Sequence, residues 1–252
     1  MRHGCRTRST IAAMHTVTGG KSVYGASVGI LMLESRFPRV LGDGGHAETW
    51  PFPMLYKVIA AATPERVVQQ GSHGLLDAFI EGAQELVRMG ADGITTSCGF
   101  LIPYQSALAA ACAVPVASSS LLQVASVQAL LPPGKRVGVI TVSAASLTAE
   151  HLAAAGASLD TPVVGTESGE EFTRVLLGDE LQLDVVAASN DVLNAAERLV
   201  EQHENIGAIV LECTNMGPYA ADIAQRLQLP VYDFYSFVTW FHAGLRPRRF
   251  GR

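Results

Sequence analysis

From Ser27 onward, short apolar and β-branched runs alternate with stretches whose apolar positions recur at helical spacing. The first run, Ser27 to Leu33 (SVGILML), is nearly continuous in apolar residues, as a strand buried on both faces should be. The same pattern predicts strands over Met54–Ala61, Gly93–Ser97, Val114–Ser118, Arg136–Val142, Val163–Thr166, Ile206–Glu212 and Val231–Phe234. Helices are expected over Ser72–Met89, Leu101–Cys112, Leu121–Leu131, Ala145–Ala155, Asp184–His203, Tyr219–Leu227 and at the C-terminus. Such alternation gives an α/β fold of mostly parallel sheet flanked by helices. The connection from Glu34 to Pro53 is unusually long and rich in Gly, Pro and charge. That marks it as a functional loop, a lid or edge of a cleft.

Composition narrows the possibilities. In 252 residues, 48% are hydrophobic and 16% charged, enough for an extensive core and far from a disordered chain. A net charge of -5 argues against a nucleic-acid partner, which usually meets a basic face. No apolar run approaches the ~20 residues of a membrane span, so no membrane partner is expected. Residues 1–24 carry Arg2, Arg6 and Arg8 with no acidic residue, and read as a disordered extension outside the fold. The cysteines at positions 5, 98, 112 and 213 lack the spacing of a metal site. Free thiols in a reducing cytoplasm are the expectation, with no metal and no cofactor.

In open parallel sheets, ligands bind beyond the carboxyl ends of the strands. Those ends carry Ser97-Cys98-Gly99, Ser118-Ser119-Ser120, Thr141 with Ser143, and Cys213-Thr214-Asn215. The segments around Cys98 and Cys213 repeat one design: a turn containing Gly, an apolar strand, Cys, a short polar turn, then Pro103 or Pro218. The cysteines lie 115 residues apart (213 − 98), near half the chain, as two pseudo-symmetric lobes would place them. The lobes are expected to be 25–118 plus 231–252, and 119–230, with the active site between them. A thiol ahead of a helix N-terminus gains from the unpaired N–H groups there, which favour thiolate. Two such thiols facing each other could take a proton from one side of a carbon and return one on the other. Cys112, in mid-helix, reads as structural. His46 with Asp43 and Glu48 is weak evidence for a metal, and Gly42–Gly45 reads as a flexible turn. His73, His151, His203 and His242 read as exposed or capping residues on helices.

The paired cysteine segments resemble the aspartate/glutamate racemase superfamily, which includes hydantoin racemase, arylmalonate decarboxylase and maleate isomerase. The resemblance runs from about Ser27 to Phe241 and rests on short motifs; the segment Leu31–Arg39 is closest to unassigned members. It implies two pseudo-symmetric lobes, Cys98 and Cys213 as the proton-transferring pair, and no pyridoxal phosphate. It also implies a small carboxylate substrate held by Thr214 and Asn215, with Ser97, Gly99, Ser118, Ser119, Thr141 and Ser143 supplying further donors. Ser35 and Arg36, after the first strand, are further substrate-binding candidates. A homo-oligomer is usual in this group. Glutamate racemases carry Asn-Thr after the first Cys and His after the second Cys-Thr, where this chain has Gly99-Phe100 and Asn215. Those differences point away from glutamate and toward a less polar pocket. Retention of both cysteines argues against arylmalonate decarboxylase, whose members need one. The expectation is a cofactor-independent racemase or epimerase of a small carboxylate such as an amino acid. The alternatives are a cis-trans isomerase or decarboxylase of a small dicarboxylate using one Cys, and a small-molecule binding protein without chemistry.

Overall fold

The computed structural model describes residues 18–250. Cys5 and most of the expected extension therefore lie outside the described residues. Of its described part, Ser22 and Val23 donate from their backbones to Met89 O, so the fold takes in this stretch instead of beginning after Tyr24.

The strands are β1 (Val28–Leu33), β2 (Met54–Ile59), β3 (Gly93–Thr96), β4 (Val116–Ala117), β5 (Arg136–Thr141), β6 (Val163–Gly165), β7 (Ile206–Leu211) and β8 (Val231–Tyr232). They form two parallel four-stranded sheets, ordered β2-β1-β3-β4 and β6-β5-β7-β8. The orders are the same, each shifted by four strands, so the expected two-lobed α/β fold is present. The helices are α1 (Pro64–Val68), α2 (Leu76–Met89), α3 (Gln105–Ala111), α4 (Gln123–Leu130), α5 (Ala149–Ala154), α6 (Phe172–Leu177), α7 (Val185–Gln202), α8 (Ala220–Leu227) and α9 (Phe234–Leu245). No described helix is long and apolar enough to cross a membrane.

β1 is buried at all six positions because β2 and β3 flank it and helices cover its faces. α2 turns Phe79, Gly82, Ala83 and Leu86 onto this sheet, and α7 buries Ala188, Val192, Ala195, Ala196 and Leu199. Both sets follow the i, i+3, i+4 rule of an amphipathic helix. The two lobes share a packing device. A Cβ on Gly29 of β1 would stand 3.0 Å from Leu86, and one on Gly138 of β5 would stand 2.6 Å from Leu199. Glycine there lets the long helix of each lobe settle close to its central strand.

The second lobe boundary moves. β8 pairs with β7 in the second sheet, so the chain does not return to the first lobe at residue 231. It returns with α9, capped by Asp233, whose Phe234, Phe237 and Val238 pack with Val28, Ile30 and Met32. Two short helices escaped the periodicity. α1 opens with Thr63 capping Arg66 N ahead of Pro64, a start signal visible in the sequence. α6 follows the acidic run Glu167–Glu171.

Candidate active site

The carboxyl ends of β3 and β7 are equivalent positions in the two sheets, and they carry Cys98 and Cys213. Both thiols are buried and line one narrow cavity of about 30 Å³ between the lobes. The lobes are fastened around it. Thr214 Oγ1 donates to Ser97 O at 2.7 Å across the lobes, and within the second lobe Ser120 Oγ donates to Leu211 O and Glu212 O, each at 2.8 Å. Phe37, Phe100, Leu33 and Leu176 make much of the wall apolar. Phe100 was expected to have this effect from its place beside Cys98.

The long Glu34–Pro53 connection forms another part of the wall, contributing Phe37 and Arg39, and is held by its own hydrogen bonds. Asp43 is buried at its centre. Its Oδ1 accepts from Arg39 Nη1 at 2.8 Å and from Gly45 N at 2.6 Å, while Oδ2 accepts from Asn215 Nδ2. Trp50 closes the loop, donating from Nε1 to Gly44 O at 3.2 Å. His46 accepts from Glu48 N in a short cap. Among the described residues, no group of three or more His, Cys, Asp or Glu is placed to hold a metal ion.

The structure divides the sequence-predicted residues. Ser97, Gly99 and Asn215 line the cavity with the two cysteines. Arg36 does not: its side chain is 73% exposed and pairs with Asp179 at 3.2 Å on the surface. The cation in the wall is Arg39, whose side chain is 15% exposed and whose Nη2 donates to Ser35 Oγ at 3.0 Å. Ser35 thus supports Arg39 and does not line the cavity. Ser118 bonds Gln105 from both its N and its Oγ, Ser119 caps the turn at Leu121, and Ser143 bonds Ser146. Thr214 is spent on the inter-lobe bond and Thr141 on Glu212. These five hydroxyls hold strand ends in place. Asn215 is also committed, accepting from Cys213 Sγ at 3.3 Å as well as bonding Asp43. Cys112 is half-buried and packs against the core. His151 takes part in the cap of α5 and stands edge-on to Phe100.

The thiols depart from expectation. Burial pushes Cys98 well up, the neighbouring Glu212 adds to the rise, and only a backbone N–H bond and Arg39 oppose it. Cys213 is raised for the same two leading reasons, with Cys98 and Asp43 contributing further. Each cysteine precedes a 3-10 turn, Gly99–Tyr104 or Gly217–Tyr219, that runs on into α3 or α8, and this helical start does not offset the burial. Both shifts favour the protonated thiols.

Glu212, unremarked in the sequence, is the acid of the cavity. It is fully buried, and Thr141 Oγ1 donates to its Oε2 at 2.8 Å. Burial pushes its carboxyl from 4.5 up to about 7, with the Thr141 bond opposing the rise. The folded protein thus holds this proton more tightly than the unfolded chain does. The resulting stabilisation is complete below pH 4.5 and is lost as pH rises through about 7. Glu212→Gln should remove that dependence. Melting temperatures at mildly acidic and mildly basic pH check this: the variant should lose less stability on the basic side than the wild type.

The geometry matches the family that the sequence suggested. The profile described as Asp/Glu/Hydantoin racemase matches residues 58–240. The chain belongs to this family. The proteins it is similar to carry other named activities. A dimethylsulfoniopropionate lyase of Durusdinium sp. clade D is 28% identical over 228 residues, covering 87% of this chain and 75% of that protein. Dimethylsulfoniopropionate lyase 6 of Emiliania huxleyi (strain CCMP1516) is 28% identical over 219 residues, and the match spans 82% of this chain but 56% of that longer protein. In fold the family member resembles arylmalonate decarboxylase, solved as a variant in a sulfate-associated form, at a TM-score of 0.59 and 16% identity, covering 87% of this chain and 92% of that one.

Proposed function

We propose that this protein is a cofactor-independent enzyme that shifts the proton on the carbon beside a small carboxylate, with Cys98 and Cys213 as the proton-transfer groups. The observation that carries the reading is the placement of two thiols, from equivalent strand ends of two like lobes, in one narrow cavity. In racemisation or epimerisation, the thiolate on one side takes the α-proton, forming S–H. The thiol opposite gives its proton to the other face of the carbanion, so the configuration inverts and no atoms are gained or lost. Arg39 is the cation available to a substrate carboxylate, and closure around the substrate strengthens that attraction. A cavity of about 30 Å³ admits little more than a water. Substrate entry therefore parts the walls, to which α1 contributes Val68 and α6 contributes Leu176.

A second reading is β-elimination, favoured by the names of the curated relatives and by the apolar wall. Here one thiolate takes the α-proton, a carbon–carbon double bond forms, and the β-substituent leaves with its bonding electrons. From dimethylsulfoniopropionate the products would be acrylate and dimethyl sulfide. A sulfonium has no N–H donors, so burial beside Phe37 and Phe100 leaves no hydrogen bond unmade, and aromatic faces attract cations.

The test is incubation in D₂O with amino acids, hydantoins and hydroxy acids, together with dimethylsulfoniopropionate assayed for dimethyl sulfide. Deuterium at the α-carbon with inversion supports racemisation, and sulfide release supports elimination. Absence of both across the set would sink the proton-transfer reading.

A further inference from the structure

Glu212 has one carboxyl oxygen that the fold leaves uncommitted. Oε2 is anchored by Thr141, whereas Oε1 is buried with no hydrogen-bond partner. A buried acceptor left unmade is costly, so its retention calls for a reason. Space for it is reserved by Gly99: a Cβ there would stand 2.0 Å from Oε1. The residue after Cys98 must therefore be glycine for the carboxyl from the other lobe to reach this place. That accounts for the departure from the Asn found there in glutamate racemases. Among the described residues, Glu212 is the only carboxyl lining the cavity, and the titratable or charged groups that line it besides are Cys98, Cys213 and Arg39. Asp43 lies beyond, paired with Arg39.

We propose that Glu212 is the proton acceptor that converts one of the two thiols to thiolate, and that it keeps the proton until turnover returns it. In the step, the S–H bond of Cys98 or Cys213 breaks and an O–H bond forms at Oε1. The single negative charge moves from oxygen to sulfur, and nothing else enters or leaves. The physical reason is charge conservation in a buried site. Losing a thiol proton to water beside an ionised carboxylate would bury two negative charges, whereas internal transfer keeps one. The two groups form a coupled pair whose proton is shared, not two independent acids. Oε1 bonds neither thiol in the resting geometry, so transfer requires a rotation of thiol or carboxyl; such bonds commonly tighten only in the substrate complex. This role rests on the reading of the thiols as proton-transfer groups, but its test needs no substrate.

The probe is iodoacetamide, with label located by mass spectrometry on the Cys98 and Cys213 peptides and Cys112 as the internal reference. Wild type, Glu212→Gln and Thr141→Val are labelled across pH. In the wild type, labelling of one site cysteine should rise in a step near pH 7, where Glu212 loses its own proton. Glu212→Gln should lose the step, with labelling at that pH down by at least about tenfold and Cys112 unchanged. Thr141→Val should move the step to higher pH, because the lost hydrogen bond favoured the carboxylate. If Glu212 is only a repelling charge, Gln will make the thiols ionise more easily and labelling will rise, which overturns the proposal. No step in the wild type, or one that Gln leaves in place, overturns it too. Should the Gln variant not fold, Thr141→Val decides: an upward shift supports the acceptor role and an unmoved step refutes it. A step seen without deuterium wash-in would refute the substrate chemistry and leave the proton acceptor standing.

Discussion

Replacing Cys98 or Cys213 by Ser lowers turnover by about 10²–10⁴-fold, the usual worth of a positioned acid or base. Serine keeps the size and the hydrogen-bonding pattern, but its hydroxyl does not ionise in the range a thiol does. Both residues are buried in a well-packed wall, so the loss should come without a matching loss of stability, and melting curves serve as the control. The two variants need not behave alike. Racemisation uses both thiols in every turnover, one as base and one as acid, so each Ser variant is crippled. Elimination uses one thiolate on the carbon, so one variant keeps much of its rate. Rates for both variants on the substrate found by deuterium or sulfide assay separate the cases. Full activity in either variant would remove the two-thiol mechanism.

Asp43→Ala should cost about 3–5 kcal/mol of stability, the range for breaking a buried ion pair by removing one partner. The carboxylate joins Arg39, Gly45 N and Asn215, so its loss leaves a mostly buried guanidinium without its counter-charge and frees the Asn215 amide. Asn215 then holds Cys213 Sγ less firmly, and activity should fall with stability. Urea denaturation measures the first effect. A double-mutant cycle with Arg39→Ala measures the coupling, since the two side chains touch and their effects should not add. A loss under about 1 kcal/mol would show that the loop stands without this network.

Some of the chemistry was legible at the level of chain pattern because it is local. The apolar runs set the strands, and the duplicated Cys segments set their equivalence, since a thiol after a strand must sit at that strand's carboxyl end. Gly99 was visible as a departure from the glutamate racemase pattern, though its cause was not. Glu212 did leave a trace, a charged residue closing the apolar run Ile206–Leu211, but a run reports burial and not what faces the buried group.

The choice among polar residues was a different matter. Arg36 and Arg39 lie three positions apart on one irregular loop, where no periodicity says which points inward; Asp43 decides it by drawing Arg39 in, while Asp179 holds Arg36 at the surface. Ser118, Ser119, Thr141, Ser143 and Thr214 sit at strand ends as expected, yet Ser118, Thr141 and Thr214 are used up by groups from other segments, and Ser119 and Ser143 by the turns that follow them.

The pattern of apolar runs thus determined parallel strands, and the duplicated segments divided them into two lobes with Cys98 and Cys213 at strand ends. Only the tertiary structure decided that the two thiols share one cavity, that Arg39 is its cation and that Glu212 lies over Gly99. The reason is physical: strand burial follows from each segment's own composition, whereas a charge's direction and a carboxyl's protonation depend on partners that folding brings from far along the chain.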